Sequence, residues 1–204
     1  MSRLAVIDYG LGNLESLQGA LSRLGHASLV TEAPEEIGAA PGIILPGVGA
    51  AGAAMRALRS RGLDRVLRQE AGRGKPLLGI CLGMQVLFSH SEEGDTPCLG
   101  LIPGRVRRFS PGKKVPQIGW NRVEPAAAHP LLDGVAPGSY FYFLNSYYCV
   151  PEDPACVTGV SEYGETFCSV LAHGPLCAVQ FHPERSGTDG LRLLDNFVKM
   201  VFSP

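Results

Sequence analysis

The pentapeptide Gly79-Ile80-Cys81-Leu82-Gly83 constrains this chain more than any other stretch of it. The apolar Leu77-Leu78-Gly79-Ile80 reads as a buried strand and Met84-Gln85-Val86-Leu87-Phe88 as a helix, so Cys81 falls on a sharp turn between them. A turn that tight crowds any side chain two positions before or after the nucleophile, and both positions are glycine. The thiol then sits at a helix N-terminus, where unpaired N–H groups and the positive end of the helix dipole favour thiolate. Taken alone, a cysteine is more often a small buried hydrophobe than a reagent. Glycine on both flanks is hard to explain by core packing, and a nucleophile needs a base.

A base stands a hundred residues on, in Gln180-Phe181-His182-Pro183-Glu184-Arg185-Ser186, directly after the apolar Leu176-Cys177-Ala178-Val179. On an extended segment, positions i and i+2 point to one side. Glu184 can therefore accept from one imidazole nitrogen of His182 while the other faces outward toward Cys81. Pro183 is expected to hold the backbone extended between them. By itself this is a histidine ending a strand beside a glutamate; joined to the elbow, it supplies the nucleophile, base and orienting carboxylate of covalent acyl-transfer chemistry.

Two glycine-rich blocks bear on the same chemistry. Gly10-Leu11-Gly12 follows a strand but lacks the third glycine of a dinucleotide fingerprint. Pro46-Gly47-Val48-Gly49 is better explained as a loop whose backbone N–H groups can approach a substrate, with Gly47 and Gly49 offering no side-chain obstruction. A tight turn without a catalytic part is the alternative.

Gly-Ile-Cys-Leu-Gly-Met-Gln at 79–85 with Phe-His-Pro-Glu at 181–184 resembles a class I (triad) glutamine amidotransferase. Within that superfamily the chain is similar to the glutaminase subunits of imidazole glycerol phosphate synthases. The narrower likeness rests on Asp8-Tyr9-Gly10-Leu11-Gly12-Asn13, Leu45-Pro46-Gly47-Val48-Gly49-Ala50, Pro116-Gln117-Ile118-Gly119-Trp120-Asn121 and Tyr142-Phe143-Leu144-Asn145-Ser146-Tyr147. The chain departs from the family pattern at Ala51, where phenylalanine is common, and at Gln117 and Asn145, where histidine is usual. The resemblance implies hydrolysis of L-glutamine by Cys81, His182 and Glu184, with the N–H groups of Val48 and Leu82 as oxyanion donors. Gln85 is expected to bind the glutamine from one turn into the helix, and by resemblance Ser146 and Tyr147 border the pocket. It also implies a (β/α)8-barrel cyclase partner that takes the ammonia through a channel, for which Tyr9, Gly10, Asn13, Trp120, Asn121 and Arg185 are the candidate contacts. Glutamine hydrolysis is then expected to be slow until that partner binds its ligand. The rival expectations are a glutaminase serving another acceptor, such as pyridoxal phosphate or anthranilate synthase, and an α/β binding protein that shares the elbow without the activity.

Charge and cysteine usage narrow the class further. Eighteen Lys and Arg against nineteen Asp and Glu leave a net charge of −1, which gives no electrostatic case for nucleic acid or a membrane surface. Arg105-Val106-Arg107-Arg108 with Lys113-Lys114 is the most basic patch, and such runs are usually solvated faces. Six cysteines show no Cys-x-x-Cys pair, five histidines show no metal-ligand spacing, and no cofactor or metal is expected. Met1-Ser2-Arg3 runs straight into Leu4-Ala5-Val6-Ile7, so no leader is expected and a cytoplasmic, reducing compartment follows.

Along the first half, short apolar runs alternate with amphipathic helices. Leu4 to Ile7 is a strand; Asn13 is placed to cap a helix carrying Leu14, Leu17, Leu21 and Leu24 and ended by Gly25. Ser28-Leu29-Val30 and Gly42 to Leu45 follow as strands, then a helical stretch from about Ala50 to Gln69 that breaks near Gly62. That βαβ rhythm predicts a mostly parallel sheet with helices on both faces. The second half predicts antiparallel strand additions at Arg105–Phe109, Gln117–Val123, Tyr140–Val150, Ala155–Glu162, Phe167–Ala172 and Leu176–Phe181, and a closing helix from about Asp189 to Phe202. With no repeat or linker, residues 1–204 are expected to form one domain.

Overall fold

Alternation along the first strand decides the layering. In β1 (Leu4–Ile7), Leu4 and Val6 pack into one apolar core and Ala5 and Ile7 into another, because successive strand side chains point to opposite faces. A computed structural model describes residues 3–202; Met1 and Ser2, the start of the stretch read as lacking a leader, and the last two residues lie outside the described part. One core is closed by α1 (Leu14–Arg23) and α6 (Gly187–Phe202). The other is closed by α2 (Pro34–Ala39), α3 (Ala51–Ser60), α4 (Leu63–Gly72) and α5 (Leu82–Val86). The sheet thus has helices on both faces, as the βαβ rhythm predicts. No helix among the described residues is long and apolar enough to cross a membrane.

Five parallel strands form the centre, in the order β2 (Ser28–Thr31), β1, β3 (Ile43–Leu45), β4 (Leu77–Ile80), β13 (Leu176–Val179). The sheet continues beyond β13 through β12 (Thr166–His173), β10 (Tyr147–Pro151) and β7 (Ile102–Arg108), all joined antiparallel, to β5 (Phe88–Ser91) and β6 (Thr96–Pro97). A side branch leaves β12 through β11 (Val157–Glu162) to β8 (Gln117–Pro125) and β9 (Ser139–Asn145).

Several local expectations need correction. The helix after Cys81 stops at Val86, and Phe88 opens β5, whose pairing with β7 is parallel. Apolar residues at Val86, Leu87 and Phe88 satisfy either period, and sheet pairing takes the last of them. The long strand predicted over Tyr140–Val150 is two strands broken at Ser146, since β9 pairs with β8 while β10 pairs with β7. Asn13 makes no side-chain cap to α1. Helix α2 went unread although Pro34 at its first position and Glu35 and Glu36 in its first turn are start signals.

Candidate active site

Three neighbouring parallel strands end at one edge, and each releases a loop there. Leu45 pairs with Gly79 and Val179 with Ile80, so the segments after β3, β4 and β13 emerge side by side. They carry Val48, Cys81 and His182. Ligand sites of open α/β sheets lie at this carboxyl edge. A cavity of about 190 Å³ opens on it, lined by these three residues together with Gly49, Leu82, Gln85, Glu93, Pro116, Leu144, Asn145, Ser146 and Tyr147.

The elbow itself is strained. Cys81 has φ 54 and ψ −110, outside the allowed regions for an L-residue, which costs on the order of 1–3 kcal/mol and persists only where the surroundings enforce it. Those surroundings are close backbone contacts. A Cβ at Gly83 would collide with the Leu45 carbonyl, and one at Gly79 would come within 2.9 Å of Gly83 O and of Leu87 Cδ1. The flanking glycines are therefore required by backbone approach on both sides of the thiol. Cys81 N–H donates to Val179 O at 2.8 Å, which ties the elbow to the strand leading to His182.

His182 Nδ1 and Glu184 Oε1 are 2.9 Å apart, with both side chains buried. The route differs from the expected one. Pro183–Arg185 form a turn of 3-10 helix instead of extended chain, because proline's fixed φ suits a first helical position as well as a strand end. The turn still brings the carboxylate under the ring. Nε2 of His182 is buried without a well-formed hydrogen bond. Burial pushes the imidazole toward its neutral form, but interaction with Cys81 and Glu184 outweighs it and raises the pKa to about 10. Ser186, unread in the sequence, fixes the backbone: its Oγ donates to His182 O and accepts from Tyr142 N–H. His182 N–H donates to Tyr142 O at 2.9 Å.

Gln85 is buried and on the cavity wall, its Nε2 donating to Tyr147 O at 3.1 Å and to Gln180 Oε1 at 3.0 Å. Gln180 also escaped the sequence reading; it is fully buried and its Nε2 approaches Cys81 Sγ at 3.7 Å. Nothing local marks it, one residue past the end of β13 and two before the histidine. Glu93 is a further unread wall residue, anchored by the Ala51 N–H at 2.7 Å.

Two expected placements fail. Gly47 does not line the cavity: it is buried behind it, where a Cβ would strike the Tyr9 hydroxyl and lie 3.0 Å from Leu82 Cβ. Tyr9 is not on the surface but 1% exposed, its hydroxyl donating to Pro46 O at 2.9 Å, and burial followed by the nearby Cys81 pushes its pKa up. An aromatic ring at the end of a buried strand packs under the loop it supports. Of the other candidate contacts, Gly10, Trp120 and Arg185 are exposed, Asn13 and Asn121 half-buried, and Asn121 Nδ2 is engaged by Glu162 O at 2.9 Å.

The model of the family described as glutamine amidotransferase class-I matches residues 5–201. The chain belongs to the class-I glutamine amidotransferase family. Among its curated relatives, a protein of Moorella thermoacetica is 52% identical over 202 residues, 98% of this chain and 96% of its own, and one of Dehalococcoides mccartyi is 48% identical over 199 residues, 97% of each. Both are named imidazole glycerol phosphate synthase subunit HisH. A solved glutamine amidotransferase superposes with a TM-score of 0.77 at 21% identity, covering 97% of this chain and 98% of that one, which speaks to the fold.

Proposed function

We propose that this chain is the glutaminase subunit of imidazole glycerol phosphate synthase, releasing ammonia from glutamine for histidine biosynthesis. The observation that carries the catalytic assignment is the strained Cys81 elbow opening into a cavity shared with His182, whose ring is bonded to the buried Glu184 carboxylate. Cys81 Sγ attacks the side-chain carboxamide carbon and the C–O double bond becomes an oxyanion. The N–H groups of Val48 and Leu82 receive it, Leu82 being the first residue of α5 and so without an intrahelical acceptor. Each such donor stabilises the transition state by about 3 kcal/mol. His182 delivers a proton to the departing ammonia, and the C–N bond breaks to leave a glutamyl thioester. Water, deprotonated by His182, then cleaves the thioester to glutamate and frees the thiol. Glu93 on the wall suits the α-ammonium group of the substrate by charge, and Gln85, Gly49, Ser146 and Tyr147 complete the pocket.

A (β/α)8-barrel cyclase as partner fits the outward face of β8 and β9. Ile118 is 63% exposed, Trp120 56% and Tyr140 55%, and Ile118 and Trp120 stand opposite Leu144 and Tyr142. Arg185 lies over the Tyr142 ring at 4.3 Å, and Trp120 meets the same ring edge-on. Contiguous exposed apolar and aromatic residues of this kind mark protein interfaces, and Trp and Arg are common anchors in them. A cytoplasmic location belongs to the same proposal, since a catalytic thiol works in a reducing compartment.

Glutamate release by the chain alone and with the cyclase and its ligand is the test. We expect slow release alone, a large increase in the complex, and a mass increment on Cys81 after treatment with a glutamine-mimicking diazoketone. Full steady activity of the lone chain would sink the gating, and absence of selective labelling at Cys81 would sink the glutaminase assignment.

A further inference from the structure

Gln117 and Asn145 are Cα partners across β8 and β9. Directly opposed residues present their side chains to the same face of a sheet. Here that face is the inner one: the two residues are 3% and 5% exposed, and other inward positions of the pair of strands are Val123, Phe141 and Phe143. Among the described residues, Gln117 Nε2, Gln117 Oε1 and Asn145 Oδ1 have no hydrogen-bond partner. Buried amides without partners are costly and native proteins keep few of them. Core packing gives no reason for two carboxamides beside Phe141 and Phe143, and Asn145 also lines the cavity that holds Cys81.

Asn145 is wired to the nucleophile. Asn145 Nδ2 donates to Tyr147 O at 3.0 Å, and that carbonyl also accepts from Gln85 Nε2 at 3.1 Å. Gln85 Nε2 reaches Gln180 Oε1 at 3.0 Å, and Gln180 Nε2 approaches Cys81 Sγ at 3.7 Å. Three carboxamides and one backbone carbonyl thus run from Asn145 on β9 to the sulfur. Gln117 enters this network by position, as the cross-strand neighbour of Asn145 with both amide atoms unpartnered.

We propose that Gln117 and Asn145 form a positioning pair for the reaction at Cys81, fixing the Tyr147 carbonyl and, through Gln85 and Gln180, the nucleophile's sulfur. The inference rests on the glutaminase assignment. Placing the sulfur is a demand of the chemical step, so the effect falls on kcat more than on KM.

The test measures glutamine hydrolysis by the complex with the cyclase for Gln117→Leu, Asn145→Leu and the double variant. Each single change is expected to lower kcat about tenfold with KM little altered, and the double change to cost no more than the worse single one, as residues acting as a unit are non-additive. Asn145→Asp adds a signature that a merely structural role would not produce. An ionised carboxylate cannot donate to Tyr147 O, whereas a protonated one can, and burial raises its pKa. Its activity relative to the unmodified enzyme should therefore rise as pH falls from roughly 8 to 5. Should the leucine variants fail to fold, this ratio decides. Values of kcat within twofold of the unmodified enzyme, losses that multiply in the double variant, or a flat ratio for Asn145→Asp overturn the proposal. If the unmodified complex does not hydrolyse glutamine, the functional assignment fails, but the rate of Cys81 alkylation by chloroacetamide still reads the pair. The same pattern across variants is expected there, and equal rates overturn it.

Discussion

The carboxyl edge of the parallel strands and the β8–β9 ribbon are built to opposite specifications. At the edge, backbone packs against backbone: Gly83 against Leu45, Gly79 against Gly83, and the Cys81 N–H against Val179 O. The histidine and carboxylate there are buried and bonded to one another. On the ribbon, large apolar side chains face outward and three amide atoms inside lack partners. The contrast teaches that close backbone contacts shape the machinery for bond breaking, while side chains shape the adjoining ribbon, apolar and aromatic outside, aromatic and carboxamide inside. The two regions meet where His182 N–H and Ser186 Oγ hold the Tyr142 backbone, where Phe141 and Phe143 pack on Phe181, and where Leu144 and Asn145 line the cavity beside Cys81.

The comparison can be broken first at the nucleophile. Cys81→Ala should lower glutamate release by roughly 10⁴-fold or more while leaving the fold intact, because no other group forms the thioester. Activity surviving this change would move the chemistry elsewhere. Next in size is Gly83→Ala, whose new methyl group would collide with the Leu45 carbonyl. Urea unfolding should show a loss of roughly 3–5 kcal/mol, in the range of overpacked or strained core sites. A loss below about 0.5 kcal/mol would show that the edge is not rigid.

The ionisation of His182 sharpens the contrast. Its pKa of about 10 in the fold stands above the unfolded value near 6.5, so the imidazolium stabilises the fold fully below pH 6.5 and that contribution is lost as pH rises through about 10. Glu184→Gln removes one of the groups that raise it, so the imidazole should titrate at lower pH by NMR and stability should fade earlier in the same window. An unchanged titration would separate Glu184 from the ring. The smallest expected effect lies on the ribbon. Trp120→Ala should change unfolding free energy by less than about 0.5 kcal/mol, as for other exposed positions. It should nonetheless weaken binding of the cyclase about ten- to thirty-fold by calorimetry, as for an interface anchor.

Much of this site is legible in the residues. The Gly79–Gly83 elbow is a local pattern, because the glycines answer to a turn within a few residues, and the pairing of His182 with Glu184 spans two positions. Gly62 marks the break between α3 and α4 for the same reason. Where local signals compete, the reading fails. Pro183 is compatible with extended chain and with a first helical turn, and Phe88 with helix and strand; packing chose between them. Tyr9, adjacent to a loop of polar and glycine residues, has no local mark of burial, and only the Pro46 carbonyl above it explains its place.

By itself the sequence determined the chemistry on offer: a cysteine on a glycine-flanked turn, an imidazole with its carboxylate, and a loop able to bring N–H groups close. These depend on short-range sterics and spacing, which a chain carries residue by residue. The tertiary structure alone decided that β4 and β13 are neighbours, which brings the Cys81 sulfur to Gln180 across 99 positions, and that Gln117 faces Asn145. Such adjacency follows from strand order and register, quantities set by burial of the whole sheet on both faces, and no local window contains them.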